Sequence, residues 1–207
     1  RGAGGHALGA ESQPVDQRRP HGHHRVALDA PDLGGVFRLS DGIVRVYNMD
    51  EMIETLESRD PRRGLSESNV LPLLVFTEEA SHALHTTYAF GEGGPDRVTG
   101  EEFLAELELM ARIDAYLLLR HFVRALARPF DPADLAWVRH QALTRWDVPY
   151  DDPDMAERYR GAARLATAFV DRLESVPPRR RLAELRSFRS LQMPQKRARA
   201  CTGDRGD

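Results

Sequence analysis

Hydrophobic and polar positions follow a helical period over most of the chain after residue 50. In the segment 156–173, apolar residues recur every three or four positions, as they do on a helix face that packs against a core. The stripe consists of Tyr159, Ala162, Ala166, Phe169, Val170 and Leu173. We therefore predict an amphipathic helix that forms one wall of a helical bundle.

Helix-start and helix-stop residues delimit further helices. Ser66 or Ser68 is the expected N-cap of a long helix, and Thr99 with Glu102 forms the capping-box pattern of the next. The helical segments cover about residues 50–57, 66–90, 101–127, 131–143, 152–174 and 180–191. We predict a mainly α fold, arranged as a bundle of four to five helices.

A different pattern lies before the helices. The runs 36–39 and 43–47 are rich in β-branched and aromatic residues, and Asp41-Gly42 between them is a strong hairpin-turn signal. We predict a small N-terminal β-hairpin at about residues 36–47. A lone hairpin is marginally stable, so we expect it to pack on the side of the bundle.

The two ends of the chain lack such patterns. Residues 1–24 are rich in Gly, Pro, Arg and His without periodicity, which predicts a disordered leader. Residues 193–207 are Arg- and Gly-rich, and we predict a disordered basic tail there. The region 25–192 between them has the size of a single helical domain with one core.

Charge and composition bear on which partners and which cellular location we expect for the protein. The formal net charge is -3, but the last 31 residues, 177–207, hold nine basic and three acidic residues, so the remainder is net acidic. An acidic body makes nucleic acid an unfavoured partner. The single cysteine, Cys201, predicts a cytoplasmic protein without disulfides, and no apolar run has the length of a membrane span.

The helix over 70–90 combines an apolar first half with ionisable residues in its second. We expect it to be the central helix, because it is apolar nearly all round from Val70 to Phe76. The next two turns carry the side chains that we take as candidate ligands. These are Glu78, Glu79, His82 and His85.

A second helix offers candidate ligands of the same kind. Its predicted apolar stripe is formed by Phe103, Leu107, Met110, Leu117, Leu118 and Ala125, and the same face includes Asp114 and His121. Because these two residues are two turns apart on one face, we expect both to address a single cavity in the bundle.

Buried carboxylates must pair, bind metal or reach water, and this leaves three hypotheses. In the first, the residues are structural, and Glu78 or Glu79 forms an ion pair with Arg112, Arg120 or Arg124. The protein is then a non-enzymatic module that interacts with protein or nucleic acid.

The second hypothesis is a metal- or ligand-binding pocket with a single divalent ion, Zn, Fe or Mn. Its ligands would come from Glu78, Glu79, His82, His85, Asp114 and His121. The Glu79-x-x-His82 spacing resembles the Glu-x-x-His motif of ferritin-like di-iron proteins, but the chain has no second copy of that motif.

The third hypothesis is metal-assisted hydrolysis. The segment 78–82 is similar to the zincin motif His-Glu-x-x-His, with Glu78 in place of the first histidine. This resemblance would make Glu79 the catalytic general base and Glu106 or Asp114 a third ligand. We favour the second hypothesis, with an unknown small molecule or protein as partner. Whether the protein is an enzyme and how it assembles are left open.

Overall fold

The computed structural model describes residues 36–40, 43–47, 50–126, 129–145 and 152–201. These ranges hold seven α-helices: α1 (Asp50–Ser58), α2 (Val70–Gly93), α3 (Glu101–Leu126), α4 (Pro132–Arg139), α5 (Pro153–Ser175), α6 (Pro178–Arg189) and α7 (Met193–Cys201). The mainly α prediction is confirmed. The predicted count of four to five helices is wrong. The described residues form seven, because short helices at both ends of the bundle add to the long ones.

Two strands precede the helices. Strand β1 (Val36–Ser40) runs antiparallel to β2 (Ile43–Tyr47), with Ser40 opposite Ile43. The Asp41-Gly42 turn lies outside the described residues, so the hairpin as a unit stays a prediction. The leader predicted over 1–24 also lies outside them.

Helix α2 begins later than its sequence signals suggest. Asn69, rather than Ser66 or Ser68, precedes its first residue, and Pro72 falls in the first turn, where its missing N–H is tolerated. The Asn69 side chain is buried and donates to the carbonyls of Arg59 and Gly64, both at 2.9 Å. Asn69 therefore ties the preceding loop to the helix start.

Helix α3, not α2, is the enclosed helix of the fold. It packs against α2 and α5, and its residues from Leu107 to Ile113 are all buried. On α2, by contrast, Phe76, Ala80, Leu84 and Tyr88 are exposed at four-residue intervals. The prediction that α2 is central was wrong because an apolar composition does not show on how many sides a helix has neighbours.

Helix α5 buries the stripe that its periodicity predicts. All six residues of that stripe are at most 9% exposed. The ring of Phe169 stacks on Phe188 of α6, with centroids 3.7 Å apart. Because both rings are fully buried, this contact fixes α6 against the core.

The basic tail predicted from residue 193 onward is a helix over its first part. Helix α7 places Lys196 in the core, where its ammonium group lies 2.6 Å from Glu106 of α3. Arg199 pairs with Glu184 of α6 at 2.8 Å. The prediction of disorder is wrong for 193–201 because acidic partners from elsewhere in the chain order this segment. Residues 202–207 lie outside the described ranges.

Candidate functional site

Five ionisable side chains meet at the seam between α2 and α3. Glu78, Glu79 and His82 come from α2, and Glu108 and Arg112 come from α3. On each helix these residues are one to four positions apart, so they project from one region of its surface. We call these five residues the seam cluster.

The seam cluster is enclosed by the fold. Apart from Glu78, whose side chain is 14% exposed, none of its side chains is more than 6% exposed. The charged groups lie close together, yet the pairs resolved among them are longer than hydrogen bonds. Arg112 Nε is 3.8 Å from Glu78 Oε1. The three resolved pairs therefore hold the buried charges 3.8–3.9 Å apart.

His82 stands between two carboxylates. Its Nδ1 is 3.9 Å from Glu79 Oε2, and its Nε2 is 3.9 Å from Glu108 Oε2. A hydrogen bond between such atoms is normally about 2.7–3.2 Å long. Each nitrogen of the imidazole therefore faces a different carboxylate.

Several carboxylate oxygens of the seam cluster are buried without a hydrogen-bond partner in the described part of the chain. They are Glu78 Oε1, Glu79 Oε2 and Glu108 Oε1. Three carboxyl groups face one guanidinium and one imidazole, so negative charge is in excess when all three are ionised, whether or not His82 is protonated. Arg158 of α5 also acts on Glu108, but it pairs with Glu101 at 3.0 Å.

Burial is the largest cause of the raised carboxyl pKa values in the seam cluster. Burial raises the pKa of Glu78, and Arg112 only partly opposes it. Burial also raises the pKa of Glu108, against the opposing effects of His82, Arg112 and a hydrogen bond from Tyr159. For His82, burial alone would lower the pKa, but Glu108, Glu79 and Glu78 together raise it. The cluster therefore retains protons more strongly than the same groups in water.

The free energy of unfolding of the metal-free protein is expected to fall as pH rises from about 5 to about 8. The folded pKa values lie above the ordinary 4.5 of Glu78 and Glu108 and the ordinary 6.5 of His82. Each group's stabilising contribution is complete below its unfolded pKa and is lost as pH rises through its folded pKa. Urea unfolding in the presence of a chelator measures this slope.

Glu108→Gln is the variant that should flatten this slope, because it removes one of the titrating groups. The carboxylates with lowered pKa values, Asp60, Glu157 and Glu184, act in the opposite direction but below about pH 4.5, outside this window. A stability that increases from about pH 5 to about pH 8 in the metal-free protein would show that the cluster does not hold extra protons.

Two of the predicted ligands lie in a separate group on the same seam. His85 Nε2 is 3.3 Å from Asp114 Oδ2, which also accepts a 2.8 Å hydrogen bond from Ser81. The other Asp114 oxygen pairs with Arg189 of α6. Asp114 is therefore already bonded to three partners, and the structure does not bring it or His85 to the seam cluster.

His121 is not in the core. It is exposed near the C-terminal end of α3, beside Leu117, Arg120 and Arg124. The structure thus brings five of the six predicted ligands together in two separate groups, Glu78, Glu79 and His82 in one and His85 with Asp114 in the other. The expectation of a single cavity that collects all six was wrong, because Asp114 contacts only His85 among the predicted ligands of α2, and His121 is exposed. Phe103, Leu107 and Met110 of the predicted stripe are buried, but in the C-terminal half of α3 the buried residues include Tyr116, Leu119 and Val123 instead.

The structure adds Glu108 to the candidate site, which the sequence did not single out. Glu108 lies among acidic and apolar residues of α3 and has no motif around it. The expected arginine partner of Glu78 is present as Arg112, whereas Arg120 pairs with Glu174. Glu106, the third ligand expected for a zincin-like site, pairs with Arg97 and Lys196 instead.

Comparisons with known proteins found no match for this chain: no family model matches it, and no curated protein or solved structure does either. Within the described residues, no group of three or more His, Cys, Asp or Glu side chains is placed so that it could hold a metal ion. No helix described here is long and apolar enough to cross a membrane.

Proposed function

We propose that the seam cluster binds one divalent metal ion. In this proposal His82 Nε2 and a Glu108 oxygen are ligands, Glu78 supplies a third, and water completes the coordination. Glu79 accepts the Nδ1–H of His82 and orients the imidazole. This division matches the general arrangement in which a metal-bound histidine donates its other N–H to a carboxylate.

The distance between His82 Nε2 and Glu108 Oε2 is the observation that carries the proposal. Two ligands that are each about 2.1 Å from a tetrahedral ion are about 3.4 Å apart. The 3.9 Å separation is thus too long for a hydrogen bond, but it differs by only about half an ångström from that of two ligands of one metal. Three ligands would meet at one ion only after their side chains move from the positions in this structure.

The charge of the seam cluster supports a cation rather than another group. A divalent ion would offset the excess of carboxylates and would bond the oxygens of Glu78 and Glu108 that no described donor reaches. The small exposure of Glu79, His82 and Glu108 favours an ion over an organic substrate. The general-base role predicted for Glu79 and the cytoplasmic location stay predictions.

The alternative proposal is a purely structural cluster, and the Glu78–Arg112 pair favours it. In that case the buried charges fix the register of α2 against α3, and the protein acts through a partner instead of a metal. The two proposals differ in one measurable property, because only the first requires stoichiometric metal at the seam.

Metal titration of the full-length chain separates them. The predicted leader contains His21, His23 and His24, so all proteins in the experiment carry asparagine at these three positions. With Zn²⁺ or Mn²⁺ as the probe, we expect one equivalent to bind. Glu108→Gln is expected to weaken binding at least about tenfold, and Glu79→Gln to weaken it by about 10–100-fold as an orienting residue.

The exposed His121 supplies the matched control, since His121→Asn removes an imidazole from the same protein without touching the seam. It should leave the affinity unchanged. Circular dichroism verifies that each variant is folded. Binding of less than about a tenth of an equivalent, or an equal loss in His121→Asn, would refute the metal proposal.

A further inference from the structure

A second feature of the structure lies outside the seam cluster. Between the C-terminal half of α3 and the start of α6 is an open cavity of about 490 Å³. Its polar lining is supplied by Arg120, Arg124, Arg181 and His121, and its apolar lining includes Leu117. We call this cavity the arginine cleft. Its volume falls within the range of about 300–1,000 Å³ that small-molecule sites occupy.

The polar lining of the arginine cleft is basic. It consists of three arginines and one histidine, and none of the described residues that line the cleft is acidic. Pro178, the first residue of α6, also lines the cleft, so the N-terminal end of that helix adds its positive dipole. These features all favour an anion.

Two of the arginines are held in position by the fold. Arg181 donates from Nε to the Val176 carbonyl at 2.9 Å and from Nη2 to the Glu174 carbonyl at 2.8 Å. Arg120 approaches the Glu174 carboxylate at 3.6 Å. Positioned guanidinium groups lose less conformational entropy when they bind an anion than mobile ones do.

Arg120 is satisfied only in part within the protein. Its Nη1 donates to the Tyr116 hydroxyl at 3.4 Å, whereas its buried Nε has no acceptor among the described residues. The nearby Glu174 carboxylate already accepts from Arg139 at 3.0 Å and from the Tyr116 hydroxyl, so it is shared among several donors. The positive charge of the cleft is therefore only partly offset from within the protein.

We propose that the arginine cleft binds the phosphate group of a small phosphate monoester. Guanidinium groups bond phosphate oxygens in pairs, and a group with nearly two negative charges matches three arginines better than a single carboxylate does. Leu117 and Ala125 supply an apolar surface for the organic part of the ligand. This inference is independent of the metal proposal, because none of these residues belongs to the seam cluster.

Isothermal titration of the full-length chain tests the inference, with phenyl phosphate as the probe. Inorganic phosphate and benzoate serve as the comparison ligands. We expect phenyl phosphate to bind more tightly than either of them, and Arg124→Gln to weaken its binding about tenfold. Arg124 is exposed, so this variant should fold even if Arg181→Gln, which removes two bonds to the end of α5, does not.

Arg186→Gln is the matched control, because Arg186 is an exposed arginine of α6 that does not line the cleft. It should leave the affinity unchanged. Three outcomes would overturn the inference: no binding of phenyl phosphate, an equal loss in Arg124→Gln and Arg186→Gln, or benzoate binding as tightly. A single-stranded oligonucleotide that binds more tightly than phenyl phosphate would indicate nucleic-acid contact instead and would also overturn it.

Discussion

Replacing Arg112 with alanine is expected to lower the free energy of unfolding by about 3–5 kcal/mol in the metal-free protein. Arg112 is 2% exposed, and its guanidinium lies beside Glu78 and acts electrostatically on Glu108. Without it, three carboxylates share a buried space with His82 as the one remaining positive group of the cluster. Urea unfolding in the presence of a chelator measures the loss.

Two comparisons identify the cause of this loss. Arg186→Ala, at an exposed helical position, should change stability by no more than about 0.5 kcal/mol. The double variant Arg112→Ala with Glu78→Ala should be more stable than Arg112→Ala alone, because it removes one of the uncompensated carboxylates. A loss below about 1 kcal/mol in Arg112→Ala would show that Arg112 does not balance the cluster.

The metal proposal adds a condition to the same experiment. A divalent ion would take over the electrostatic role of Arg112, so saturating Zn²⁺ should stabilise Arg112→Ala more than it stabilises the unsubstituted protein. An equal or smaller effect of Zn²⁺ on the variant would mean that metal and Arg112 do not act on the same carboxylates.

Lys196→Met is expected to destabilise the protein by about 3–5 kcal/mol and to detach α7. Lys196 is fully buried, and its ammonium group bonds Glu106 at 2.6 Å and the carbonyls of Arg189 and Leu191. These carbonyls lie at the C-terminal end of α6, where a cation is favourable. Hydrogen exchange of the α7 amides, with urea unfolding, measures the effect.

The neighbouring Arg197→Met is the control for Lys196→Met, since Arg197 is exposed on the same helix. It should be nearly neutral. Lys196 is the single lysine among 29 basic residues of the chain. Its compact ammonium group fits among three acceptors, so Lys196→Arg should also destabilise, by about 1–3 kcal/mol through overpacking. Equal stability of the Arg and Lys proteins would contradict this explanation.

The sequence predicted the helices and the buried face of α5 well, because both depend mainly on the periodicity of apolar residues. The buried stripe of α5 was predicted residue by residue, because that helix is strongly amphipathic and packs on one side. Helix α3 has neighbours on more than one side, so its buried face does not follow from a simple stripe. This is why Asp114 and His121 were assigned to the core while Glu108 was missed.

The candidate site was predicted only in part for a related reason. Glu78, Glu79 and His82 share one helix, and local spacing is sufficient to group them. Glu108 joins them through the packing of α3 against α2, and its burial depends on that contact. In the same way, Lys196 is buried through its pairing with Glu106, 90 positions earlier in the chain, and no local pattern indicates such a partner.

Anomalous diffraction from crystals of the 207-residue chain soaked in Zn²⁺ tests the metal proposal most directly. The metal proposal predicts one strong peak at the seam between α2 and α3, about 2.0–2.2 Å from His82 Nε2 and from a Glu108 oxygen, with Glu79 hydrogen-bonded to His82 Nδ1. A seam without an anomalous peak, with Glu78 still paired to Arg112, would contradict it.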